Sequence, residues 1–160
     1  MLRYLGIRVC IVIWILAFLF CVAAFFVWMS ARPTLAARRT ELALKQFVRR
    51  REELEAAFFK AASASGKPRG LAWKQCSFQQ GVVLARDRGN ADLVGLVGVT
   101  VSFEAIEGGG MEDVEAVGNL RAATAVFTYS KRKWSTQGRV IFNLEPREVL
   151  TRYAETLDAI

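Results

Sequence analysis

The stretch Val9 to Met29 constrains this chain more than any other: twenty-one residues with no charge, no proline and no glycine, holding Trp14, Trp28, Phe18, Phe20, Phe25 and Phe26. As an α-helix it is roughly 31 Å long, about the hydrocarbon thickness of a bilayer. No single small domain has an interior that hides such a helix, so the stretch is read as a single-pass transmembrane segment. The rest of the 160-residue chain then hangs from a membrane and suffices for one small domain with a modest core.

The formal net charge of +7 resolves once it is divided along the sequence. Residues 1–60 carry ten Lys/Arg against four acids, and residues 61–160 carry twelve against eleven. The excess sits at the membrane end, where attraction to anionic headgroups and topology selection explain it, so the lipid bilayer rather than nucleic acid is the expected partner. Cys10 and Cys21 fall within the apolar span, which leaves Cys76 alone in the domain and no intradomain disulfide. The chain has no histidine, removing the commonest general base and metal ligand together.

Met1–Arg8 is a short tail with Arg3 and Arg8, shaped like the leading region of a signal sequence. Anchoring is favoured over cleavage: the apolar run exceeds a secretory core of about 7–15 residues, and a cut after Ala31 puts Met29 at the minus-three position. A cut after Ala36, with Thr34 at minus three, is the rival. Cys21 follows Phe18-Leu19-Phe20, which is no lipid-attachment site. Beyond the span, Arg32, Arg38 and Arg39 nearly balance Arg3, Arg8 and the terminal amine. Lys45 and Arg49 tilt the balance toward a cytoplasmic domain, while the N-terminal position of the span favours signal-anchor insertion with the domain outside the cytoplasm, which is the expectation adopted.

Pro33 is expected to end or kink the first helix. A second, over 35–62 within a basic juxtamembrane segment 30–62, follows from Leu44, Phe47, Leu54, Phe58 and Ala61 at three- and four-residue spacing and from i,i+4 pairs such as Arg51–Glu55. Arg51 lies in the apolar register, which argues against a long coiled coil and for packing on the protein's own sheet. Gly66, Pro68 and Gly70 stop the helix. Strands are expected over Leu71–Phe78, Val82–Asp87 and Leu93–Glu107, the last with Leu93, Val97, Val99, Val101, Phe103 and Ala105 on a buried face and Thr100, Ser102 and Glu104 on a wet one. Gly108-Gly109-Gly110 forms a hairpin tip, leading into a fourth strand Met111–Tyr129 with a bulge, or alternatively a tight hairpin, at Gly118-Asn119. A fifth strand covers Trp134–Leu144. Glu145-Pro146 opens a last helix with the stripe Val149, Leu150, Tyr153 and Leu157.

The expected fold class is therefore α+β: an N-terminal transmembrane helix, then a long helix packed on an antiparallel meander of four to five strands, with a short C-terminal helix; residues 35–62 and 63–160 make one domain. In outline this resembles the cystatin-like and nuclear-transport-factor-2-like folds. The likeness is of layout alone, since Gln79-Gln80-Gly81-Val82-Val83 is not the cystatin inhibitory loop.

Chemistry is sparse. Ser63-Ala-Ser-Gly-Lys67 fails as a phosphate loop twice, with Ala61 where its first glycine belongs and Pro68 where a magnesium-binding hydroxyl belongs. Cys76 reads as a structural thiol. Around the triple glycine, registers that keep apolar residues together set Glu104 opposite Asp113 or Glu115, a repulsion that Lys74 or Arg86, solvent, or a bound cation or basic partner would relieve. These three acids are the only metal or partner contacts the sequence offers; no cofactor is implied. Lys131-Arg132-Lys133-Trp134 suits a membrane surface and equally a solvated turn before a core tryptophan. The functional expectation is a non-enzymatic protein-binding or scaffolding component of a membrane complex, its plan similar to that of bitopic subunits of secretion and pilus machines. The alternative is a tethered small-molecule binder or enzyme that uses a cavity between helix and sheet.

Overall fold

The structure is a computed structural model that describes the backbone of residues 2–65 and 70–160, and the side chains of those residues except 2–13, 15, 29–35 and 65. Among the described residues the chain is α+β, with four helical segments and seven strands in one antiparallel sheet. It divides into two units, Met1–Leu42 and Ala43–Ile160.

The first unit is helical. It belongs to α1 (Leu2–Arg49), whose backbone continues as helix through Pro33, where a break was expected. A proline removes one i→i−4 hydrogen bond, and the surrounding rungs suffice to carry the helix past it. Trp14, Leu16, Phe18, Phe20, Phe25, Phe26, Val27 and Trp28 all stand exposed, from 53% for Trp28 to 77% for Trp14. Among the described residues no helix is long and apolar enough to cross a membrane; the side chains of 9–13, 15 and 29, a third of the apolar stretch, lie outside the described residues, as do Cys10, Arg3, Arg8 and Arg32.

In the second unit the helix breaks at Arg50, whose N–H is shared between the carbonyls of Gln46 (3.1 Å) and Phe47 (3.2 Å), before α2 (Arg51–Ser65) begins. Arg51, the residue out of place in the apolar stripe, proves to be a clamp. Its guanidinium bonds Glu55 at 2.6 Å and donates to the carbonyls of Gln79 and Gln80, tying the start of α2 to the loop after the first strand.

The sheet is built on one long strand. β1 (Leu71–Phe78) and β2 (Val83–Asp87) lie end to end along one edge of β3 (Leu93–Ala105), and β4 (Arg121–Ser130) pairs along the other, from Leu93↔Tyr129 to Val101↔Arg121. β5 (Lys133–Ser135) and β6 (Val140–Phe142) continue outward from β4, and β7 (Leu157–Ala159) pairs with β2. Between β6 and β7 stands α3 (Pro146–Arg152), with Pro146 in its first turn and the Glu148 carboxylate accepting from Glu145 N–H at 2.8 Å.

Two cores result. On one face Ala43, Phe47, Leu54, Phe58 and Ala62 from the helices meet Val97, Val99, Val101, Phe127 and Trp134, all buried. Phe47 sits edge-on to Phe127 (5.3 Å) and Trp134 (5.0 Å). The Trp134 indole N–H donates to the carbonyl of Ala43 at 2.7 Å. At Gly138, with φ +72°, a Cβ would lie 2.3 Å from the backbone nitrogen of Ala62, so only glycine lets the corner between β5 and β6 touch α2. On the other face Val149 of α3 covers Ala85, Val94 and Leu96.

Several expectations are corrected. β3 does not have one wet side: Leu93–Val99 is buried on both faces, because α3 and β7 cover the side opposite the long helices. The sheet has seven strands rather than four to five. Residues 111–120 form no strand, with neither a bulge nor a hairpin at Gly118-Asn119; a 3₁₀ turn, Glu115–Gly118, stands there instead, and β4 starts at Arg121. The apolar residues of 111–120 do not extend a ladder, since Val117 turns into the first core. The fifth strand is split at Gly138, and Asn143, with φ +58°, turns Leu144 to the second core while Val140 stays in the first. Leu157 belongs to β7 rather than to the last helix, and still packs with Val149, Leu150 and Tyr153 as its stripe implied.

Replacing Trp134 by Phe removes the bond to Ala43 and part of the ring while keeping an aromatic. It should lower the unfolding free energy of the chain by roughly 1–3 kcal/mol, read as a shift in urea midpoint at unchanged slope.

Candidate functional site

The helix–sheet interface, where a ligand cavity was the alternative expectation, is filled: Phe47, Leu54, Phe58 and Val97 are each no more than 3% exposed. An opening lies on the other face. α3 is only seven residues long and covers part of the second face, leaving a cleft of about 670 Å³ between the sheet and the chain leading into β7. Val94, Leu96, Val126 and Ile141 supply apolar walls, with Arg139 and Tyr153 among the polar lining.

Local bonding holds this cleft. After α3 the amides of Thr156 and Leu157 both donate to the carbonyl of Tyr153, at 2.9 and 2.8 Å, and turn the chain back toward β2. Arg88 then fastens the turn: its N–H donates to Thr156 O at 2.9 Å and its guanidinium forks onto one oxygen of Asp158 at 2.5 and 2.9 Å. Both partners are half exposed, so the pair positions more than it stabilises. Arg139 and Glu155 line the cleft with no ion-pair partner among the described residues. The size falls within the range of ligand sites. The sequence did carry a signal for this second face, because Leu93–Val101 is apolar at nearly every position, the mark of a strand buried on both sides rather than one.

The acidic residues singled out from sequence are not brought together. Glu104 is exposed and pairs in register with Ala72 of β1, not with Asp113 or Glu115, which lie in the connection 106–120. Phe103 likewise pairs with Trp73. No group of acids, cysteines or histidines that could hold a metal occurs among the described residues. The triple glycine has a packing reason: a Cβ on Gly109 would lie 2.7 Å from the Cα of Gly70, so the tip rests backbone on backbone. Glu112 accepts from Gly109 N–H at 3.1 Å, and its carboxyl is held below the usual range by backbone N–H groups, its own foremost, although burial opposes the shift.

Lys74 stands exposed in a bulge of β1, and Arg86 pairs with Leu93 at the opposite end of β3. Arg38 and Arg39 are exposed on α1; Gly66–Arg69, which include the end of the failed phosphate loop, lie outside the described residues. The sheet edges give a partner little purchase, since β5, β6 and β7 have three residues each and β1 carries the bulge and Lys74. Comparison with family models, curated proteins and solved structures finds no match.

Cys76 is part-buried, and burial, aided by the nearby Glu55 carboxylate, pushes its thiol up to about 12. Such a thiol is inert at neutral pH. Because the folded value lies above the ordinary 9.0, the stability it contributes is fully present below pH 9 and is lost as pH rises toward 12. At pH 8, iodoacetamide should leave Cys76 unmodified in the folded chain and modify it in urea, as read by peptide mass mapping. Fast modification of the folded chain would contradict the assignment.

Proposed function

We propose that this chain is a single-pass membrane protein whose residues 43–160 form a non-enzymatic binding domain within a membrane complex, held on the extracytoplasmic side by residues 9–29 as a signal anchor. The observation that carries the anchor is the uncharged run of twenty-one residues, whose described Trp, Phe and Leu side chains all stand exposed along a helix. Exposed apolar surface of that extent needs a solvent other than water. The Lys/Arg excess of the first sixty residues supports a bilayer beside it.

Binding, in this reading, takes place at the cleft on the second sheet face. An apolar floor whose lining holds Arg139 and Glu155, neither ion-paired among the described residues, suits a partner segment that brings apolar side chains and charges of both signs.

Two measurements test the proposal. After alkaline carbonate extraction the full chain should remain with the membrane pellet; recovery in the supernatant would overturn the anchor. On native gels of solubilised membranes it should migrate in an assembly well above its own mass, and Ile141→Trp, which fills the cleft, should release it. Migration of the wild-type chain as a monomer would overturn the binding role.

A further inference from the structure

The loop between β4 and β5 is a two-residue hairpin turn: Ser130 pairs with Lys133, and Lys131 and Arg132 between them have φ of +50° and +64°. Turns of this kind favour Asn-Gly, because both central residues must be left-handed, a conformation that opposes long side chains. Here both positions hold cations. Lys131, Arg132 and Lys133 are all exposed and have no acidic partner among the described residues. The neighbouring turn, between β2 and β3, carries Asp87 and Asp92, whose carboxylates are not paired with them: the Asp87 carboxylate accepts from Gly89 N–H at 2.7 Å. The turn therefore keeps three cations at a tip where the backbone prefers two other residues.

Its place in the fold is as informative as its composition. Trp134, next in sequence, is 1% exposed, packs on Tyr129 (5.1 Å) and Phe47 (5.0 Å), and donates its indole N–H to Ala43. Ala43 is the first residue of the second unit, the point at which the chain arrives from the apolar stretch. The cationic tip is thus fixed beside the residue through which the domain is tethered. Ala43 follows Met29 by only fourteen positions, at most about 21 Å as helix. A headgroup layer of roughly 5–7 Å and a screening length of about 8 Å together span most of that length.

We propose that Lys131, Arg132 and Lys133 form a docking site for the anionic headgroups of the bilayer that holds residues 9–29, fixing the domain against the membrane surface. The site rests on the anchor reading of the preceding section. Each cation beside an anionic surface adds to the attraction, and the rigid tryptophan-backed hairpin presents the three together.

The test uses the full chain reconstituted into vesicles of phosphatidylcholine alone or with 30 mol% phosphatidylglycerol, followed by hydrogen–deuterium exchange. Peptides spanning 129–135 should exchange at least about threefold more slowly in the anionic vesicles, and the difference should vanish in high salt. The double replacement Lys131→Asn, Arg132→Gly installs the residues the turn prefers, so the domain should melt no lower than wild type while losing the lipid-dependent protection. Equal exchange in both vesicle types, or protection that survives in the Asn-Gly variant, would overturn the proposal. If the chain stayed with carbonate-washed vesicles in that case, the anchor would stand and only the headgroup site would fall; release by carbonate from both vesicle types would overturn both.

Discussion

A single indole ring joins the parts of the second unit that sequence alone leaves separate. Trp134 reaches from the short β5 strand across the first core, closes on Phe47 and Tyr129, and bonds the carbonyl of Ala43 at 2.7 Å. A buried indole N–H without a partner costs on the order of 1–3 kcal/mol, so the ring's position and the arrival of the helix at Ala43 are settled by the same bond. Opposite it, Gly95 leaves the space the ring occupies: a Cβ there would approach Trp134 to 3.1 Å. The helix at Ala43, the sheet's middle strand and its outer edge are therefore fixed against one another through one side chain.

β3 supplies the second constraint. With neighbours along both edges and a core on each face over Leu93–Val99, it has no solvent side in that segment. The long helices fill one face and α3 with β7 part of the other. What the short α3 leaves uncovered is the cleft, so the candidate site follows from an imbalance between the two covers: 22 residues, 43–49 and 51–65, on one face and a seven-residue helix on the other. The proposed division of labour has the same origin, with the filled face serving stability and the open face available for a partner.

Much of this was legible in the sequence, and the exceptions have physical causes. β1, β2 and the turn at 88–92 follow from apolar runs separated by Gly and Asn, and α3 from Pro146. The stripe Phe47, Leu54 and Phe58 identified the face the helices bury, and the misplaced Arg51 its departure from a coiled coil. Residues 111–120 resemble a strand in their alternation, whereas strand formation also needs an edge to pair with, and β3 beyond Val101 has its β1 edge alone paired. The acidic cluster disappeared with that register. The cleft was not anticipated because it depends on how little of a face a short helix covers, a property of packing that no local pattern reports; Arg139 and Glu155 gave no sequence signal at all.

Native-state hydrogen exchange on the full chain in detergent tests the central claim, that the helical residues from Ala43 onward belong to the same cooperative unit as the sheet because Trp134 and the aromatic core join them. The amides of Phe47, Leu54 and Phe58 should open with the same free energy and denaturant dependence as those of Leu96 and Phe127, through global unfolding alone. If Phe47 instead exchanged through a separate, low-energy opening that left Leu96 and Phe127 protected, the helix would be an appendage to the sheet, and the account would be contradicted.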